Sequence, residues 1–125
     1  MTQQAWAFLG GKQVPLVDAK VGVMTHALHY GTAVFEGIRG NWNERLGKLV
    51  VFRLREHYER LLRGCKILRV ELPYSVDDLC KITIDLLEAN GHREDVYIRP
   101  LAFKGQEAVA NLMLHTLEDE FMVVT

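Results

Sequence analysis

The sequence is poor in cysteine, proline and net charge, and each shortage closes off a class of protein. Its two cysteines, Cys65 and Cys80, are too few for a disulfide framework and lack the paired spacing of a metal-ligand motif. Each falls in a stretch patterned as an amphipathic helix, where a thiol usually serves as a small buried group. Three prolines in 125 residues, with no Pro-rich or other low-complexity stretch, leave no linker to divide the chain. No apolar run nears the roughly 18 residues of a membrane span, and Met1 to Leu9 lacks a basic segment followed by a long apolar one. A formal net charge of -1, with both signs interspersed, provides no field to hold a nucleic acid backbone or an anionic membrane. The expected compartment is the cytoplasm.

What is present is the composition of a folded domain, 49% hydrophobic and 25% charged. At this length folding buries about two-thirds of the surface of the unfolded chain, enough for one core. Ala5 to Leu9 and Lys12 to Leu16 are strand-like runs about Gly10-Gly11, a predicted hairpin, and Pro15 places its second arm at an edge. Thr25 to Tyr30 can form a short helix, capped by Thr25 and stopped by Gly31. Ala33 to Arg39 and Lys48 to Arg53 read as strands of a second hairpin, with Gly40 to Gly47 as its loop.

Two helices follow. Leu54, Tyr58, Leu61, Leu62, Cys65 and Leu68 recur at spacings of three and four, placing one apolar stripe on the first. Ser75 and Asp78 open the second as a capping box, Val76, Leu79, Thr83, Leu86 and Leu87 form its stripe, and Asn90-Gly91 closes it. Val96 to Phe103 alternates as a strand with an interruption expected at Pro100. Phe121 to Thr125 is a continuous apolar run with the character of a central strand, and its abrupt end, without a polar tail, is that expected of a piece of a longer chain. The order gives an α+β fold: a mostly antiparallel sheet with two amphipathic helices packed on one face.

Few residues announce chemistry by pattern alone. His26 and His29 stand three apart, but no third ligand accompanies them at a telling distance and structural zinc normally takes four, so they read as structural. Gly31, Gly37 and Gly40 lack the strand, tight turn and helix of a dinucleotide fingerprint. Arg60 can make paired hydrogen bonds to a phosphate, although an arginine on the polar face of a helix is usually only solvated. Phe35 and Tyr30 can wall an apolar pocket or simply pack. Tyr97 and Arg99, two apart on a strand, emerge on one face. Arg39 is either a gate or an ion-pair partner of Glu36.

The segment His26-Ala27-Leu28-His29-Tyr30-Gly31-Thr32-Ala33-Val34-Phe35-Glu36-Gly37-Ile38-Arg39 resembles the N-terminal signature of branched-chain aminotransferases, within the class IV (fold type IV) group of pyridoxal-phosphate enzymes. Phe52 to Leu61 resembles the helix of that family that faces the cofactor phosphate, and Tyr97-Ile98-Arg99-Pro100 its substrate-side strand. The three segments keep the family's order and spacing, and weaker similarity runs from Trp6 to Phe103. After Gly105, Gln106 to Glu120 departs from the family's glycine- and proline-rich loop, which reaches the neighbouring subunit's site.

The resemblance implies that residues 1–125 are the N-terminal small domain of a two-domain enzyme. Such an enzyme transfers an amino group from leucine, isoleucine or valine to 2-oxoglutarate through pyridoxal 5'-phosphate. It implies Arg60 as cofactor-phosphate ligand, and Tyr30, Phe35, Arg39, Tyr97 and Arg99 as the substrate side. It implies that Tyr97 and Arg99 help accept the second carboxylate of glutamate. It assigns no catalytic residue to the chain, because the family's Schiff-base lysine lies in a second domain, so the isolated chain is expected to be inactive. Partners are amino acids, 2-oxo acids and a second copy in a homodimer or higher oligomer. Alternatives are a D-amino acid transaminase or aminodeoxychorismate lyase of the same fold group, or a non-catalytic interaction module.

Overall fold

The computed structural model describes residues 3–125. The diglycine hairpin is present: β1 (Trp6–Leu9) turns into β2 (Lys12–Pro15) through Gly10 and Gly11, whose φ angles are 68° and 79°. Two successive positive φ values match the right-handed twist of the flanking strands, which is why glycine stands at both. A 3₁₀ turn at Leu16–Asp18 leads to the short α1 (His26–Tyr30). Thr25 is its N-cap by position without a side-chain bond, and Gly31 ends it in the left-handed region.

β3 (Ala33–Phe35), β4 (Ile38–Asn43) and β5 (Lys48–Val51) precede α2 (Leu54–Leu68) and α3 (Val76–Asn90), and β6 (Val96–Lys104) and β7 (Asp119–Val124) complete the order. On α2, Tyr58, Leu61 and Cys65 are buried; on α3, Leu79, Thr83, Leu86 and Leu87 are. These stripes are the ones that the three-and-four spacing predicts. The Ser75 hydroxyl accepts from the Asp78 N–H while the Asp78 carboxylate accepts from the Ser75 N–H, satisfying two otherwise orphaned donors. At the other end of α3, Asn90 brackets Trp6 of β1, accepting from its N–H at 2.7 Å and donating to its carbonyl at 3.1 Å.

The seven strands make one sheet in the order β2-β1-β7-β6-β4-β5, with β3 also on β6. Every pairing among the described residues is antiparallel. β6 runs the length of β7 on one side; on the other it meets β3 at residues 101–103 and β4 at residues 96–98. Its alternation sends Val96, Ile98, Pro100 and Ala102 into burial. There Ile98 and Ala102 join Tyr58, Leu61, Leu79, Leu86 and Phe121 in one core beneath the two helices.

Three expectations are corrected. Ala33 to Arg39 is two strands, separated at Glu36-Gly37. The second hairpin's loop is shorter than Gly40 to Gly47, because β4 continues through Asn43 and pairs with Lys48. The strand also passes through Pro100 without a break. The Pro100 carbonyl accepts from the Glu36 N–H at 3.2 Å, so the ring nitrogen faces the same side, where the β3–β4 gap asks for no ladder donor.

A buried ion pair joins sheet to helix. Lys104, 1% exposed, places Nζ 2.6 Å from Asp119 Oδ1 and donates to the Arg69 carbonyl at 2.5 Å. Asp119 Oδ2 accepts from the Glu71 N–H at 2.7 Å. Arg69 caps α2 in the left-handed region, φ 57°. That conformation costs a non-glycine residue about 1–2 kcal/mol, more than the roughly 0.5–1 kcal/mol of extra chain entropy a glycine would lose. Arg69→Gly is therefore expected to raise stability by about 0.5–1 kcal/mol, whereas Ser75→Ala, which removes the α3 cap, should lower it by about 1 kcal/mol. Urea denaturation of the two variants checks both signs.

Candidate active site at the break between β3 and β4

Strand alternation sends Val34 and Glu36 toward the helices and Phe35 to the opposite side of the sheet. On α2, His57, Arg60 and Gly64 stand at intervals of three and four and share one stripe. Gly64 lets this stripe approach β3 closely, since a Cβ there would lie 2.7 Å from Val34 Cγ1. The approach brings Arg60 onto Glu36: Nε donates to Oε1 at 2.6 Å and Nη2 to Oε2 at 2.7 Å. His57 Nδ1 lies 2.9 Å from Oε2, and because an ionised carboxylate only accepts, Nδ1 carries the proton of that bond.

Glu36 is 4% exposed and the Arg60 side chain 66%. A carboxylate so placed is costly unless its oxygens are satisfied. The Arg60 fork, more than any other influence, holds its carboxyl below the ordinary value; burial opposes this, and His57 adds to it. Arg60 and Glu36 line an open cleft with Val34, Phe35, Gly37 and Gly64. Arg60 also borders a second depression with Arg53, His57 and Arg63.

On the helix-free face the structure gathers Phe35, Tyr97 and Arg99. Arg99 Nη2 donates to the Tyr97 hydroxyl at 2.6 Å, and its guanidinium carbon lies 4.1 Å from the Phe35 ring centroid and 5.3 Å from that of Tyr97. Its Nε is buried without a hydrogen-bond partner, and among the described residues no carboxylate forms an ion pair with it. Gly37 makes room for Tyr97, because a Cβ at Gly37 would fall 2.6 Å from the phenol oxygen. Arg39 is opposite Tyr97 in register and shares a groove with it. Glu36 is held by Arg60 and His57, so the ion pair considered between Arg39 and Glu36 is not formed.

Tyr30 is placed apart from that cluster. Its hydroxyl accepts from the Ala110 N–H at 2.8 Å, and its ring lies 4.5 Å from that of His26. His26, fully buried, bonds the Thr32 hydroxyl and the Asn111 carbonyl, so α1 anchors the segment after Gly105. His29 bonds the Val23 carbonyl.

With this geometry in place, comparison with known proteins decides the family. The model of the Amino-transferase class IV family matches residues 33–125. The chain belongs to that family. A probable branched-chain-amino-acid aminotransferase of Aquifex aeolicus is 47% identical over 114 residues, which cover 90% of this chain and 37% of the relative. The branched-chain aminotransferase of Thermoproteus uzoniensis, solved with norvaline, superposes with a TM-score of 0.89 at 40% identity, covering 97% of this chain and 40% of that one. The branched-chain amino acid aminotransferase of Thermobaculum terrenum, solved in its PLP-form, gives 0.84 at 34% identity, covering 98% and 40%. The chain thus spans about two-fifths of the length of these proteins. The α+β fold with its antiparallel sheet is the one these class IV structures share with it over that part.

The geometry adds three residues to the candidate site: His57, which motif reading did not single out, Glu36, weighed only as a partner of Arg39, and Gly37, weighed only for a dinucleotide fingerprint. One signal was available for Glu36: a carboxylate at a core-facing strand position requires a cation, and His57 and Arg60 share the helix stripe that follows. The lowered pKa has a consequence for stability. In the unfolded chain Glu36 takes up its proton near 4.5, above the folded value, so between the two the unfolded state binds more protons and stability rises with pH. This contribution is complete above that range and is lost as pH falls through the lowered folded value. Glu36→Gln is expected to flatten the acid side of the stability curve below about pH 4.5. Denaturation midpoints at stepped pH measure it, and an unaltered acid slope would contradict an ionised buried Glu36.

Proposed function

We propose that residues 1–125 are the N-terminal small domain of a branched-chain aminotransferase. The enzyme passes the amino group of leucine, isoleucine or valine to 2-oxoglutarate with pyridoxal 5'-phosphate, in the cytoplasm and as a homodimer or larger homo-oligomer. The observation that carries this reading is the pairing of Arg60, forked on a buried carboxylate and open to solvent, with Phe35 in one cleft. Kinship with the branched-chain relatives and the PLP-form of the Thermobaculum terrenum enzyme support it.

The residues present fit the cofactor. Arg60 keeps unspent N–H donors at the cleft, as a phosphate monoester requires. When bound, the cofactor supplies the electron sink for removing the amino group. Phe35 and Tyr97 exclude water and offer apolar surface to a branched side chain. Arg99, with a buried Nε and no carboxylate of its own, supplies the cation that lets a glutamate-type substrate enter the same apolar pocket. Arg39 borders that pocket beside Tyr97 as its gate. Tyr30, tied to the segment after Gly105, lines the substrate side from α1, with that segment at the contact between subunits.

In the full-length protein, Arg60→Ala is expected to weaken cofactor binding about 10- to 100-fold while the ranking of leucine, isoleucine and valine stays the same. Arg99→Met should lower kcat/KM for 2-oxoglutarate about 30-fold or more, and that for leucine far less. Cofactor titration and steady-state kinetics separate the two roles. Assays on D-alanine and aminodeoxychorismate accompany them, and turnover of either in preference to leucine overturns the branched-chain assignment.

A further inference from the structure

An arginine on a helix surface samples many rotamers, and a swinging guanidinium offers its donors in no fixed direction. Arg60 is not free to swing. Two of its N–H groups end on the two oxygens of Glu36, 2.6 and 2.7 Å away, an attachment that fixes both the position and the plane of the group. Glu36 does not follow its partner, being 4% exposed and set just past the end of β3, where its N–H is bonded to the Pro100 carbonyl. It also takes a second bond on Oε2 from His57 Nδ1. Of the other carboxylates on α2, Glu56 is paired with Arg53 at 3.5 Å, and Glu59 forms no ion pair among the described residues. What Arg60 has left is the outer N–H edge of Nη1 and Nη2, directed away from the carboxylate.

We infer that Glu36 is a positioning residue for anion binding: it sets the plane in which Arg60 offers that outer edge to a phosphate monoester, and His57 fixes Glu36 in turn. The inference rests on reading Arg60 as the phosphate ligand. Its physical content is that charge at position 60 is not enough, and orientation supplies the rest. Lysine, a point charge without the fork, cannot be oriented in this way.

The test uses the full-length protein stripped of cofactor and titrated with pyridoxal 5'-phosphate and, separately, with pyridoxal, which has no phosphate. Glu36→Gln and Arg60→Lys are each expected to weaken the phosphorylated ligand about tenfold and to leave pyridoxal unchanged. Glu36→Gln placed on Arg60→Ala is expected to add nothing further. In the cofactor-free protein, the Arg60 Nε–H should exchange slowly with solvent in the wild type and rapidly in Glu36→Gln. Equal losses for both ligands, an additive loss in the double variant, or wild-type affinity in Arg60→Lys overturns the positioning role. Should Glu36→Gln fail to fold, Arg60→Lys, altered at an exposed side chain, still decides. If Arg60→Ala leaves affinity unaltered, the phosphate reading itself falls. If Arg60→Ala weakens binding while Glu36→Gln and Arg60→Lys do not, only the positioning role is lost.

Discussion

A long strand with one continuous neighbour and two short ones must leave a gap where the short ones meet, and this constraint on β6 organises the molecule. β7 satisfies one side of β6 over six residue pairs. On the other side β3 and β4 stop short of each other opposite Arg99 and Pro100. Pro100 tolerates the gap because it has no N–H to lose, while its carbonyl still receives the Glu36 N–H. A residue with a ladder donor at that point would favour a continuous partner strand and close the opening.

The gap joins two environments that a sheet normally keeps apart. Glu36 turns to the helix side, where α2 meets it with His57 and Arg60. Phe35, Tyr97 and Arg99 occupy the helix-free side, held together by a hydrogen bond and by a guanidinium over aromatic faces. Gly37 lies between and touches both, lining the cleft beside Arg60 and lying under the Tyr97 hydroxyl. Two cations therefore flank Phe35 and Gly37: Arg60, paired along one edge with a buried carboxylate and lining a cleft with both residues, and Arg99, stacked on the Phe35 ring with no ion-pair partner among the described residues.

The helices were the most legible part of the fold, because their spacing repeats over fifteen residues and the Ser75–Asp78 cap is local. The diglycine hairpin was legible for the same reason. The break at Glu36-Gly37 was not, since Ala33 to Arg39 alternates as an unbroken strand would, and only the competition of β3 and β4 for β6 splits it. The fate of Pro100 follows from the same competition. Of the residues proposed for the substrate side, the placing of Tyr97 and Arg99 on one face followed from their spacing of two, and Phe35 joins them. Tyr30 was legible as an aromatic that walls a pocket or packs; the partner of its hydroxyl, the Ala110 N–H, is eighty residues away. The alternative of an Arg39–Glu36 pair failed because a nearer, better aligned pair of donors comes from α2.

Sequence by itself determined the family, through three motifs in register, and with them the elements whose signals are local: helices, caps and the first hairpin. These follow from propensity and periodicity, which act over one or two turns of chain. Tertiary structure alone decided which charges meet. The forking of Arg60 on Glu36, the buried pairing of Lys104 with Asp119 and the unanswered charge of Arg99 each depend on elements brought together from distant parts of the chain. Electrostatic energies depend on distance and burial rather than on position in the sequence, so a list of residues in order cannot assign them.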